Sequence, residues 1–117
     1  MSLRANRVAE QMKQDLGKII DQKLKNPKVG FVTVTDVEVT EGLQEAKIFV
    51  SVLGTDEERA RTMQGLEESK GFLRTEIGKR IRMYKVPELR FEYDHSIEQG
   101  NRIEQLIRKL KEEERER

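Results

Sequence analysis

The residues of this chain best placed to do chemistry are its cations. Lys and Arg number 23 against 22 Asp and Glu, for a formal net charge of +1. They are unevenly spread: Met1 to Lys28 carries 7 basic and 3 acidic residues and Phe72 to Arg90 carries 6 and 2, while the intervening and following stretches are net acidic. Two basic segments separated by acidic ones can form a positive face on a nearly neutral molecule, which is enough to grip a polyanion. Ordinary solvated faces account for the pattern equally well.

Other reactive side chains are sparse. The chain has no Cys and a single His, which removes thiol catalysis, disulfide scaffolding and Cys/His metal sites, so neither metal nor cofactor is expected. His95 falls just after a predicted strand, where a capping or surface role suits it better than catalysis, and no Ser stands in a nucleophile pattern. The carboxylate runs Glu57-Glu58, Glu67-Glu68 and Glu112 to Glu114 lie on polar helices where water keeps their acidities alike, whereas acid/base catalysis needs two acids in environments that separate them. No glycine pattern of a phosphate-binding loop is present. Ser69-Lys70-Gly71 does open a basic helix: small residues there admit a nucleic-acid backbone, and Lys70 with free N–H groups favours its charge. A glycine C-cap is the alternative reading of the same three residues. Phe31, Phe91 and Tyr93 read as sheet core, so no stacking platform is expected and any RNA contact rests on charge and shape.

The elements that position these residues follow from periodicity. With 117 residues, 35% hydrophobic and 38% charged, the chain suits a single domain with a thin core. Its longest apolar run, Ile48 to Leu53, falls short of the ~20 residues of a membrane span, and the N-terminus lacks an apolar signal core, so a soluble cytoplasmic protein with no membrane partner is expected. Val8, Met12, Leu16, Ile19, Ile20 and Leu24 define an amphipathic helix from Leu3 to about Lys25, ended by Asn26-Pro27. At ~100° per residue, Arg4, Arg7, Lys18 and Lys25 share an arc of roughly 60° on its far side. Phe31 to Thr40 and Ala46 to Leu53 read as antiparallel strands joined through Glu41-Gly42, with Gly42 able to supply a positive φ. The Val pattern changes parity between Val34 and Val37, which predicts a bulge near Thr35-Asp36. Thr55 to Glu58 has the capping-box form for a short helix through Ala60, Met63 and Leu66, which Gly71 breaks. A second helix follows at once, with Leu73, Ile77, Ile81 and Tyr84 on its apolar side and Arg74, Gly78, Arg82 and Lys85 on its flank, until Val86-Pro87 stops it. Leu89, Phe91 and Tyr93 alternate as a third strand, and Ser96 to Gln99 opens a last helix through Ile103, Leu106, Ile107 and Leu110. Residues 1–110 thus form one α+β domain, with its C-terminal helix from about residue 97, and the charged tail 111–117 is expected to fray. The apolar content suits a monomer.

This order, with two helices meeting at a tight joint, looks like a type II KH domain with a three-stranded sheet and an extra C-terminal helix. The resemblance extends to particular residues. Arg4-Ala5-Asn6-Arg7-Val8, Asn26-Pro27, the strands Val32 to Val37 and Ala46 to Ser51, and the block Val86 to Ile97 followed by Arg102-Ile103 resemble the ribosome-binding factor A family of bacteria. The resemblance implies a non-enzymatic assembly factor that binds the small (30S) ribosomal subunit and 16S ribosomal RNA late in maturation, supports processing of the RNA's 5′ end, and matters most in the cold. In that family a kinked small-x-Gly joint, usually Ala-x-Gly, replaces the G-x-x-G loop of ordinary KH domains. Here Ser69 takes the place of Ala, and its hydroxyl can bond back to the helix.

Residue reading and resemblance point to the same RNA-facing surface. It comprises Arg4, Arg7, Lys18, Lys25 and Lys28 of the first helix and its exit, with Ser69, Lys70, Gly71, Arg74, Gly78, Lys79, Arg80, Arg82 and Lys85 around the joint. Arg74, Arg82 and Lys85 are its expected centre, and Gly78 would let phosphate approach the helix backbone. A general KH-like binder of structured RNA, a protein-interaction module using the acidic strands and charged C-terminal helix, and a small hydrolase or nuclease are the competing readings.

Overall fold

The computed structural model describes residues 3–96, and its elements run α1 (Leu3–Gln22), β1 (Phe31–Val39), β2 (Glu45–Leu53), α2 (Asp56–Glu68), α3 (Lys70–Arg80) and β3 (Glu88–Tyr93). The expected α+β order from first helix to third strand is therefore present, while the predicted C-terminal helix and tail lie outside the described residues. The three strands form one sheet in the order β1-β2-β3, with β1 antiparallel and β3 parallel to β2. Ala46, Ile48, Val50 and Val52 all point to the buried side of β2. Against them pack Met12, Leu16 and Ile19 of α1, Leu66 of α2, and Leu73 and Ile77 of α3. Burying a side chain of this size contributes roughly 1.5–3 kcal/mol, so this single layer of helices on one sheet face supplies most of the core.

The predicted bulge is present. Val34 pairs with Val50 and Asp36 with Phe49, leaving Thr35 as the extra residue. The insertion keeps Val32, Val34, Val37 and Val39 on one face despite their change of parity. Thr35 Oγ1 donates to Asp94 Oδ2 at 2.7 Å, and the Val37 N–H donates to the Asp36 carboxylate at 2.9 Å.

Several details differ from the sequence reading. Phe31, read as sheet core, is exposed at the start of β1. The hairpin turn takes its positive φ at Leu43 (57°) and not at Gly42. Thr40 organises this turn, its carbonyl accepting the Leu43 N–H at 2.8 Å and its hydroxyl accepting those of Gln44 and Glu45 at 3.2 Å. The first helix ends at Gln22, three residues before Lys25, so Lys25 leaves the helical arc shared by Arg4, Arg7 and Lys18. The third helix ends at Arg80, with Ile81 already extended (φ −118°, ψ 123°), so Arg82, Tyr84 and Lys85 lie in a loop and not on a helix flank. That last difference is tertiary. Arg74 holds the carbonyls of Val86 and Pro87 and Val86 packs over Gly78, which folds the returning chain against the final turn of α3.

Candidate nucleic-acid interface

The joint between α2 and α3 is a single residue. Ser69 (φ −95°, ψ 4°) donates its N–H to the carbonyls of Gly65 and Leu66, both at 3.1 Å, and its hydroxyl to Gly65 O at 2.7 Å. The back-bond anticipated for a serine here is therefore made. Gly71, expected to break the helix, lies in the first turn of α3 with an ordinary backbone and open space where a Cβ would stand. The capping box that starts α2 is intact, Thr55 Oγ1 accepting the Glu58 N–H at 3.1 Å and Glu58 reaching back to the Thr55 N–H at 3.3 Å.

The glycine this region requires is Gly65. A Cβ there would come within 2.7 Å of Val29 Cγ2 and 3.0 Å of Lys28 Cβ, because the chain leaving α1 lies directly on α2. Asn26 fastens that segment, its amide donating to Gly65 O at 3.3 Å and Ser69 Oγ at 3.4 Å while its carbonyl oxygen accepts the Lys28 N–H at 2.9 Å. Thr62, almost fully buried, accepts the Gly30 N–H at 3.1 Å and donates to Lys28 O at 3.3 Å. Sequence reasoning missed Gly65, Thr62 and the reach of Asn26. Gly65 in a helix of otherwise ordinary formers was the available signal.

These contacts bring Lys23, Lys25 and Lys28 beside the joint, around a cleft of about 540 Å³ also lined by Pro27, Ser69 and Phe72. Apart from Lys25, the cations nearest the joint are already engaged. Lys28 is paired with Glu68, and Lys70 with Glu67 at 2.7 Å. Glu76, largely buried on α3, takes both Lys23 at 3.3 Å and Lys79 at 3.4 Å. The hydrogen bond from Lys28, helped by Asn26, holds the Glu68 carboxyl below its ordinary value. Burial pushes Glu76 up, yet Lys23 and Lys79 together outweigh it and leave that carboxyl lowered as well.

Arg74, placed at the centre of the expected surface, is likewise committed. Its guanidinium donates to Val86 O at 2.8 Å and Pro87 O at 3.2 Å and lies 3.5 Å from Glu88. Gly78 faces Val86, its missing Cβ 3.2 Å from Cγ2, so this glycine accommodates the loop.

A second group of cations is free. Arg4, Arg7, Lys18, Lys25, Arg80, Arg82 and Lys85 are exposed, and their side chains make no hydrogen bond or ion pair among the described residues. The Lys23–Glu76 pair joins the end of α1 to α3, and Arg4 at the start of α1 shares a cleft of about 560 Å³ with Met83, Tyr84 and Lys85. The two helices thus run antiparallel, with cations at both ends of the pair. The structure brings Arg4 to Lys85, and Lys25 and Lys28 to Ser69. It keeps these two groups apart, at opposite ends of the helix pair. A larger cleft, of about 720 Å³ between α1 and β1, is lined by Glu10, Asp36, Glu38 and Glu45 against Lys47 and Arg90, a balance that disfavours phosphate. His95 rests edge-on against Tyr93, ring centroids 5.4 Å apart.

Residues 4–107 match the family model of ribosome-binding factor A. The chain belongs to that family. Solved structures agree with the match. A Thermotoga maritima protein assigned as a ribosome binding factor A, solved by NMR, is 36% identical with a TM-score of 0.69, over 79% of this chain and 88% of that one. The crystal structure of ribosome-binding factor A from Thermus thermophilus shares the fold at 22% identity and a TM-score of 0.67, over 76% and 93% of the two chains. A homology model of the Thermus factor, fitted into the cryo-EM map of its complex with the 30S subunit, matches at 23% identity and a TM-score of 0.65, over 79% and 96%. No helix among the described residues is long and apolar enough to cross a membrane.

Proposed function

We propose that this protein is a non-enzymatic assembly factor of the KH-like type that binds the free 30S ribosomal subunit through 16S ribosomal RNA. The observation that carries the reading is the family match across residues 4–107, and the 30S complex of the Thermus factor supports the choice of partner. The RNA-facing surface is the antiparallel pair α1 and α3 with the loop that follows, where Arg4, Arg7, Lys18, Arg80, Arg82 and Lys85 offer charge that no carboxylate among the described residues has claimed. Such a surface meets phosphates and releases their counterions, with little reading of sequence. Lys25, Lys28, Ser69, Lys70 and Gly71 form the second contact, at the joint.

Bound this way, a monomer in the cytoplasm stabilises one arrangement of 16S ribosomal RNA over its competitors by differential affinity alone. It thereby supports late maturation and processing of the 5′ end. Cold increases the need, because misfolded RNA helices melt more slowly at low temperature.

Sucrose-gradient sedimentation of the folded protein with separated small subunits, large subunits and joined ribosomes tests the reading. Co-migration with free small subunits alone is expected. A protein that stays at the top of the gradient at low and moderate salt overturns it, and co-migration that survives high salt with no RNA present points to a protein partner.

A further inference from the structure

Helical periodicity assigns Tyr84 to the apolar side of α3, with Leu73 and Ile77. Because the helix stops at Arg80, it stands instead in the loop, 105% exposed, the most open large hydrophobic residue among those described. A lone exposed aromatic needs no explanation, but the surroundings of this one are unusual. Arg80, Arg82 and Lys85 flank it in sequence and Arg4 lines the same cleft, and none of the four has a partner among the described residues. The one carboxylate lining the cleft is Glu88, which already faces Arg74 at 3.5 Å. The loop is also braced, since Arg74 holds Val86 O and Pro87 O just beyond Tyr84. An aromatic ring with open faces, set among free cations on an anchored loop, is what an unpaired nucleotide recognises: the ring takes the base by stacking and the cations take the flanking phosphates.

We propose that Tyr84, with Arg82, Lys85 and Arg4 around it, is a stacking site for one unpaired base of a single-stranded RNA segment. The inference rests on the reading of the chain as a ribosome-binding protein and adds a preference for single strands that charge alone does not provide. It also gives Arg74 a positioning role, as the brace of the loop that presents the ring.

The test uses the full-length protein with a fluorescein-labelled ten-nucleotide oligoadenylate, a duplex RNA hairpin of equal charge, and purified small subunits. The wild type is expected to prefer the oligoadenylate. Tyr84→Ala should weaken oligoadenylate binding about 10- to 100-fold while Tyr84→Phe stays close to wild type, as stacking needs the ring and not the hydroxyl. The slope of affinity against salt should be unchanged in Tyr84→Ala, because no phosphate contact is lost. The protein has no Trp, so Tyr84→Trp provides a single reporter whose fluorescence the oligoadenylate should quench. Equal binding of oligoadenylate by wild type and Tyr84→Ala, or no preference over the duplex, overturns the proposal. Small-subunit binding lost in Tyr84→Ala with oligoadenylate binding intact also overturns it, assigning the ring to a protein contact. Failure of the wild type to co-sediment with small subunits is a separate result, which sinks the broader reading even where oligoadenylate binds.

Discussion

The joint at Ser69 and the loop from Ile81 to Pro87 lie at opposite ends of α3, and both are rich in cations. At the joint, Lys28 and Lys70 are tied to glutamates, as Lys23 and Lys79 are to Glu76 farther along α3, and hydrogen bonds from Asn26 and Thr62 hold the backbone down. In the loop, Arg82 and Lys85 reach into solvent beside an open tyrosine, and the one engaged cation, Arg74, serves the loop itself. The contrast teaches that positive charge counted along a sequence is not the charge a partner meets. A lysine already paired must give up its carboxylate before it contacts phosphate, whereas a free one exchanges only water and counterions.

The sharpest way to break the comparison is to neutralise the two ends separately. Arg80→Gln, Arg82→Gln and Lys85→Gln together should weaken small-subunit binding roughly 30-fold and flatten its salt slope by about one unit per lost phosphate contact. Lys28→Gln with Lys70→Gln should cost less than about threefold, because each removes a pair as well as a cation. Equal losses in the two variants, measured by titration across salt concentrations, would erase the distinction.

Gly65→Ala attacks the rigid end directly. With its new methyl driven into Val29 and Lys28, it should lower stability by about 1–3 kcal/mol, read as an earlier urea midpoint with an unchanged slope. A wild-type midpoint would show that the segment leaving α1 shifts freely.

Acid sharpens the same contrast. Glu68 and Glu76 are both lowered from a reference value of 4.5, so their contribution to stability is full above that value and is lost as pH falls through their lower folded-state values. Urea midpoints should drop more steeply below about pH 4.5 for wild type than for Glu68→Gln with Glu76→Gln. Parallel curves would mean that these pairs do not stabilise the fold.

Gly71→Ala should have the smallest effect. Its site is helical with room for a methyl, so stability should rise by about 0.4–1 kcal/mol. Any loss of small-subunit binding in that variant would then report a backbone approach at the joint and not a folding defect.

Much of the fold was legible because its signals were local. The Val34 to Val37 parity change announced the bulge, T-x-x-E announced the cap at Thr55, and alternation announced β3. The misplaced boundaries were set by contacts between distant segments. Periodicity carried α3 on to Tyr84, but Arg74 and Gly78 draw Val86 back and end the helix at Arg80. The same contacts decided the site. Sequence marked Arg74, Arg82 and Lys85 as equivalent, and only the positions of the Val86 and Pro87 carbonyls separate the first from the other two. Tyr84 was hidden for the same reason, since a helical register assigned it to the core.

The extra residue at Thr35 also bears on how faithfully the chain folds. A strand slid by one position along its neighbour turns every side chain to the opposite face. For β1 that error would place Asp36 and Glu38 against Ile48 and Ala46, and the bulge divides the strand so that neither half can move without breaking the match of the other. Thr35, bonded across to Asp94 beyond the end of β3, therefore acts as a register lock, fixing the hairpin against the third strand as the sheet assembles.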